Sequence, residues 1–262
     1  MAIDAKTLAG ARQLLTPILG ESRRSLAPLG HAAADRTLQG GLMRGALHEV
    51  FALDSAGYGF AAALARRAGG TKRLLWIVQD FSALEHGQIS ATGLAEFGID
   101  PACVLLMRAA NATDALRAGA DALNCPALGS VIVELPGNPK ILDLTASRRM
   151  VLAAQTNGVT ALLLRSEAEV EPSAAQTRWR VRTARSAKTD DWGSPRFDAE
   201  LTRNRQGETG RWMMEWCCDE GAFRDPVEPE ARKHNEQAAH PGAVVSAAPD
   251  RPAYPPPQRR AG

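Results

Sequence analysis

The sequence predicts an α/β protein: a mostly parallel sheet flanked by helices, followed by C-terminal antiparallel strands and a tail. Short, nearly continuous apolar runs (LLWIV, CVLLM, SVIVEL and VTALLL) recur along the chain, and such runs suit strands buried on both faces. Between them lie longer stretches with helical spacing, the alternation by which a chain returns to add a parallel strand. Beyond residue 176 the rhythm changes to strict alternation in RWRVRTA, RFDAELTR and RWMMEW. That pattern fits antiparallel strands with one wet face.

Taken in order, Leu8, Leu14, Leu15, Ile18 and Leu19 predict an extension or docking helix over 7–19, interrupted by Pro17. The glycine-rich stretch GGLMRG at 40–45 eases entry into a strand over 46–53. A helix over 59–68, a strand over 73–78, a helix over 83–97 and a strand over 103–107 follow. The pattern continues with a helix over 111–123, a strand over 130–135, a helix over 142–156 and a strand over 159–164. Asn111 and Asp143 read as helix starts, because their side chains can accept from the first unpaired N–H groups. The segment 167–176 is acidic and rich in small residues, and from residue 224 proline and alanine dominate. That composition buries too little apolar surface to order a chain. The expected divisions are a helical extension at 1–29, a core at 30–166, a β-rich part packed on it at 167–224, and a disordered Pro-rich tail at 225–262.

Composition narrows the function classes. With 31 basic and 29 acidic residues the net charge is +2, so no strong overall field steers the molecule to nucleic acid or an anionic membrane. Cys103, Cys125, Cys217 and Cys218 form no CxxC pair, and the five histidines are scattered. No metal site or disulfide framework is expected, and the cysteines suit a reducing cytoplasm. The N-terminus lacks the apolar core of a signal peptide, and no apolar run reaches membrane-spanning length. A cytoplasmic protein without membrane contact is expected.

The stretch EVFALDSAGYGFAAAL at 49–64 has the outline of a phosphate loop: an apolar strand, a small-residue turn and a helix start. A working loop of the form GxxxxGK[ST] uses glycine backbone to surround phosphates, lysine as a cation and a hydroxyl on magnesium. Here Ala52 stands at the first glycine, Asp54 and Ser55 lie within the loop, and Gly57 is the second glycine. Tyr58 replaces the lysine and Gly59 the hydroxyl residue. Both groups that would touch charge or metal are missing, so ATP binding is not expected and no cofactor is assigned.

GGLMRGALHEVFALDSAGYGFAAALARR, with Glu49 before the loop, resembles the RecA-type core with its P-loop-type strand, turn and helix. The similarity continues through LLWIVQDFSALEHGQISATGLAEFGIDPACVLLMRAANATDALRAGADAL. With RWRVRTARS and PRFDAELTRNRQGETGRWMMEW, the chain over about residues 30–224 resembles the ImuA family of damage-inducible mutagenesis proteins. In this comparison Asp80 takes the place of the acid that polarises attacking water, Glu134 that of the magnesium-associated acid, and Arg165-Ser166 that of a polar sensor. The plain alternative is that Asp80 and Glu134 are solvated acids at strand ends. No catalytic residue is assigned.

Arg178, Arg180 and Arg182 alternate along one predicted strand, with Arg185 beyond it. They form a basic stripe for DNA or a partner protein, or simply a charged strand face that resists edge pairing. Trp212 and Trp216 read as core. The resemblance implies a non-catalytic accessory protein of SOS mutagenesis and translesion synthesis. Its implied partners are an inactive Y-family polymerase-like protein and an error-prone replicative-type DNA polymerase, with RecA and a weak DNA contact as further expectations. The alternatives are a RecA-like cell-division inhibitor and an ATP-dependent recombinase-like protein.

Overall fold

The computed structural model describes residues 25–81, 87–186 and 193–227. The expected helix over 7–19, the first part of the helix over 83–97 and the expected tail from residue 228 onward lie outside them. The described chain begins with a small antiparallel ribbon of β1 (Leu26–Ala27) and β2 (Leu42–Met43), enclosing helix α1 (Ala32–Thr37). The remaining strands form one nine-stranded sheet.

In chain order these are β3 (Leu47–Ala52), β4 (Arg73–Gln79), β5 (Val104–Ala109), β6 (Leu128–Glu134) and β7 (Thr160–Ser166). They are followed by β8 (Thr177–Thr183), β9 (Arg196–Asn204), β10 (Gly210–Cys217) and β11 (Ala222–Arg224). The spatial order is β11-β10-β9-β8-β3-β7-β6-β4-β5. Every pairing from β8 to β5 is parallel, and those among β8, β9, β10 and β11 are antiparallel. The alternating C-terminal sequences therefore continue the core sheet, because β8 lies parallel beside β3.

Helices α2 (Ala56–Gly69), α3 (Ala91–Glu96), α4 (Ala112–Ala122) and α5 (Leu144–Asn157) connect or follow the parallel strands. β3, β6 and nearly all of β7 are buried along their whole length, as sandwiching between helix layers requires. Alanine-rich α2 lets its backbone lie close to the sheet, burying Ala61, Ala62, Ala63 and Ala65. Phe60 on this helix meets Trp179, Phe197 and Phe223 at ring separations of 5.2–5.6 Å. Fully buried rings of this kind contribute about 1.5–3 kcal/mol each. On the opposite face, α4 and α5 cover Ile77, Val131, Val133, Ala161 and Leu163. Asn111 and Asp143 cap α4 and α5 as expected, accepting from Asp114 N and Ala146 N. The observed bounds otherwise differ from the sequence expectations by up to three residues, except for the helix expected over 83–97: residues 87–90 are not helical, Ser90 caps the helix, and α3 starts only at Ala91.

Candidate functional site

The carboxyl ends of β3, β4, β6 and β7 border a cleft of about 780 Å³, where open α/β sheets carry their sites. One wall is the turn between β3 and α2. Ala52 ends β3, Leu53, Asp54 and Ser55 form the turn, and Gly57, Tyr58 and Gly59 already lie on the helix. A phosphate loop works only if its N–H groups point outward unpaired. Here Leu53 N donates to Val181 O at 2.9 Å, Gly57 N to Asp54 O at 3.2 Å and Tyr58 N to Ser55 O at 3.2 Å. Ala56 N donates to Asp54 Oδ1 at 2.9 Å, and Thr183 N donates to Oδ2 of the same carboxylate at 2.8 Å. Asp54 thus serves the first turn of α2, whose positive end favours an anion, and ties the turn to β8. Ser55, at the N-cap, makes no side-chain cap bond.

The two helix glycines serve packing. A Cβ on Gly57 would stand 2.3 Å from Ala52 Cβ and 2.5 Å from Ala52 Cα. A Cβ on Gly59 would stand 2.8 Å from Phe97 Cζ, a ring that lines the cleft. Tyr58 projects into the cleft, where its hydroxyl bonds Ser166 and burial pushes its phenol pKa up, with Glu134 and Glu167 adding to the rise.

The acids singled out from sequence are structurally engaged. Glu134 is buried and accepts from Trp76 Nε1 at 2.6 Å, while its backbone oxygen accepts from Gln79 Nε2 at 3.1 Å. Asp80 pairs with Arg108 at 2.8 Å, each about half exposed. Arg165 is buried, donating to Leu135 O at 3.1 Å and Gly137 O at 2.8 Å with its guanidinium over the Phe51 ring. Burial pulls its pKa down, against Glu49 and Glu171. The rest of the lining is largely apolar, including Val78, Ile89, Leu94 and Leu106, with Glu167 and Glu169 at the edge. Phe97, Leu94 and Ile89 were not singled out in the sequence. Their only signal was lying after the second parallel strand. No group of three or more metal-ligating side chains occurs among the described residues.

The expected basic stripe divides. Arg178 departs from an exposed row: it is buried, donating to Glu49 Oε2 at 2.8 Å and to Ser173 Oγ at 3.1 Å, and it lies over the Phe51 ring. The cause is position, since Glu49 on β3 is its direct parallel neighbour. Arg180, Arg182 and Arg185 remain exposed. Asp198 holds Arg182 at 2.9 Å and Arg211 at 2.7 Å, and those hydrogen bonds, Arg211 first, keep its carboxyl below the usual range. The alternation in RFDAELTR was the available signal for Asp198 and Glu200 on this face. Trp216 is fully buried and Trp212 packs half-buried against the same core.

The chain is similar to Protein ImuA of Caulobacter vibrioides strain NA1000 / CB15N: 29% identical over 199 residues, covering 67% of this chain and 77% of that protein. Protein ImuA of the strain ATCC 19089 / CIP 103742 / CB 15 gives the same values. This is a distant likeness to ImuA. No protein-family model matches the chain. Among the described residues no helix is long and apolar enough to cross a membrane.

Proposed function

We propose that this protein is a non-catalytic, RecA-like accessory factor of DNA-damage-induced mutagenesis that acts through contacts with other proteins. Its distant likeness to ImuA supports the process. The observation that carries the non-catalytic reading is the occupied turn: Asp54 accepts from Ala56 N and Thr183 N where a nucleotide phosphate would need open donors. A second negative group brought there meets a fixed carboxylate, with neither the motif's lysine at position 58 nor its Ser/Thr hydroxyl at position 59 to hold a metal–triphosphate complex. The ATP-dependent recombinase reading needs both of those groups.

In this reading the intact α/β frame is a platform. Its partners are an inactive Y-family polymerase-like protein and an error-prone replicative-type DNA polymerase, with RecA as a further contact in the cytoplasm. Deleting the gene lowers ultraviolet-induced mutation frequency while leaving spontaneous mutation unchanged, and reintroducing the gene restores it. An unchanged induced frequency in the deletion strain would overturn this reading.

A further inference from the structure

The second face of β8–β11 carries an ordered array of charge. The pairings place Arg180 beside Glu200 and Glu200 beside Arg211. In the next row Arg182 lies beside Asp198 and Asp198 beside Met213. A third row runs Arg196, Glu215 and Arg224. Five arginines against three carboxylates leave a net charge of +2 on this face, equal to the net charge of the whole chain. The face is thus locally basic within a nearly neutral molecule.

The Asp198 carboxylate holds Arg182 and Arg211 in place without consuming all their donors, and Arg180 stands beside them uncommitted. Asp198 is shared by Arg182 and Arg211; Arg182 spends only its Nε there, and Arg211 spends Nε and Nη2 and keeps Nη1. The side chain of Arg180 makes no hydrogen bond or ion pair with the described residues. Arg182 and Arg211 are each about half exposed, at 52% and 53%. Guanidinium groups with fixed orientation and unspent outward donors suit phosphate oxygens.

We propose that this face, through Arg180, Arg182 and Arg211, binds the phosphodiester backbone of DNA. Arg180 and Arg182 are two residues apart on the same strand face, about 6.6 Å along the strand, which lets their guanidinium groups reach different phosphates of one DNA strand. Met213 is the one large apolar side chain in the three rows and no aromatic ring stands among them. Base stacking and membrane insertion therefore find no support, and binding is independent of sequence. This goes beyond the accessory reading, which stands whether or not DNA is touched directly.

The test is fluorescence anisotropy of a labelled duplex titrated with the full chain between about 50 and 200 mM salt. Arg180→Ala/Arg182→Ala is expected to weaken binding at least tenfold at the lowest salt and to flatten the log–log salt slope by about 1.8, for two phosphate contacts. Arg148→Ala/Arg149→Ala, which removes the same charge from exposed positions on α5, leaves both quantities unchanged. Met213→Glu adds a repelling charge without touching the arginines and weakens binding similarly. Equal weakening by the α5 pair, no binding by the native protein at the lowest salt, or competition by polyglutamate as effective as unlabelled duplex would each overturn the assignment. The ultraviolet mutation assay does not depend on any of these results, so failure here is distinct from failure of the accessory role.

Discussion

The Asp54 carboxylate, bonded to Ala56 N and Thr183 N, fills the turn between β3 and α2. Tyr58 at the position a phosphate-loop lysine would take is legible in the sequence, whereas the role of Asp54 depends on Thr183, 129 residues away, and was not legible there. His48 shows the same kind of long-range dependence. It is fully buried, with Nε2 2.8 Å from Met43 O and Nδ1 2.7 Å from Thr177 Oγ1. A carbonyl can only accept, so Nε2 carries the proton and Nδ1 accepts from threonine. Burial lowers the His48 pKa to about 4, against a bond to Met43 that raises it. The unfolded chain, with a pKa of 6.5, takes up a proton that the folded chain refuses down to about 4. Stability is therefore full above that unfolded value and falls as pH drops through the window, by about 2 kcal/mol at pH 5. Urea unfolding across pH 5 to 7 should show that slope in the native protein and a flatter one in His48→Gln. Identical slopes would remove His48 as the cause.

The strands and helices were legible where each carried a complete local signal. Apolar runs marked β4, β6 and β7, and Asn111 and Asp143 marked helix starts, because burial on two faces and cap chemistry are written in adjacent residues. CVLLM marked β5 as a strand but not its surroundings: β5 ends the sheet, and Leu105, Leu106 and Met107 are exposed rather than covered on both faces. β8 was legible as a strand through its alternation, but its neighbour was not. An isolated alternating strand does not state which edge it joins, and its parallel pairing with β3 is what buries Arg178 against Glu49. That pair is 8% and 1% exposed. Arg178→Met leaves a buried carboxylate without its cation and should cost about 3–5 kcal/mol, read from the urea midpoint. Replacing both partners, in Glu49→Leu/Arg178→Met, should recover most of that loss, because the desolvation penalty of both charges goes with them. A small effect of the single change would mean that Ser173 and the surrounding chain suffice to satisfy Glu49.

The whole described molecule joins two kinds of strand in one sheet: parallel strands whose carboxyl ends border the cleft, and antiparallel strands presenting a charged face. The α/β class and the cleft's place at strand ends followed from the order of elements alone. The cleft's aromatic and apolar wall did not, since Phe51 on β3, Trp76 on β4 and Phe97 at the end of α3 come from separate segments that only folding brings together. The same holds for Asp198, which binds arginines from both neighbouring strands. On the proposed reading, the turn filled by Asp54 and lacking the motif's lysine binds no nucleoside triphosphate. Isothermal titration of the full chain with Mg–ATP, beside a Tyr58→Lys/Gly59→Thr variant, tests it most directly. No heat of binding from the native protein, and none restored in the variant whose turn is still filled by Asp54, is the predicted result; saturable micromolar binding by the native protein would contradict the account and make the cleft a working nucleotide site.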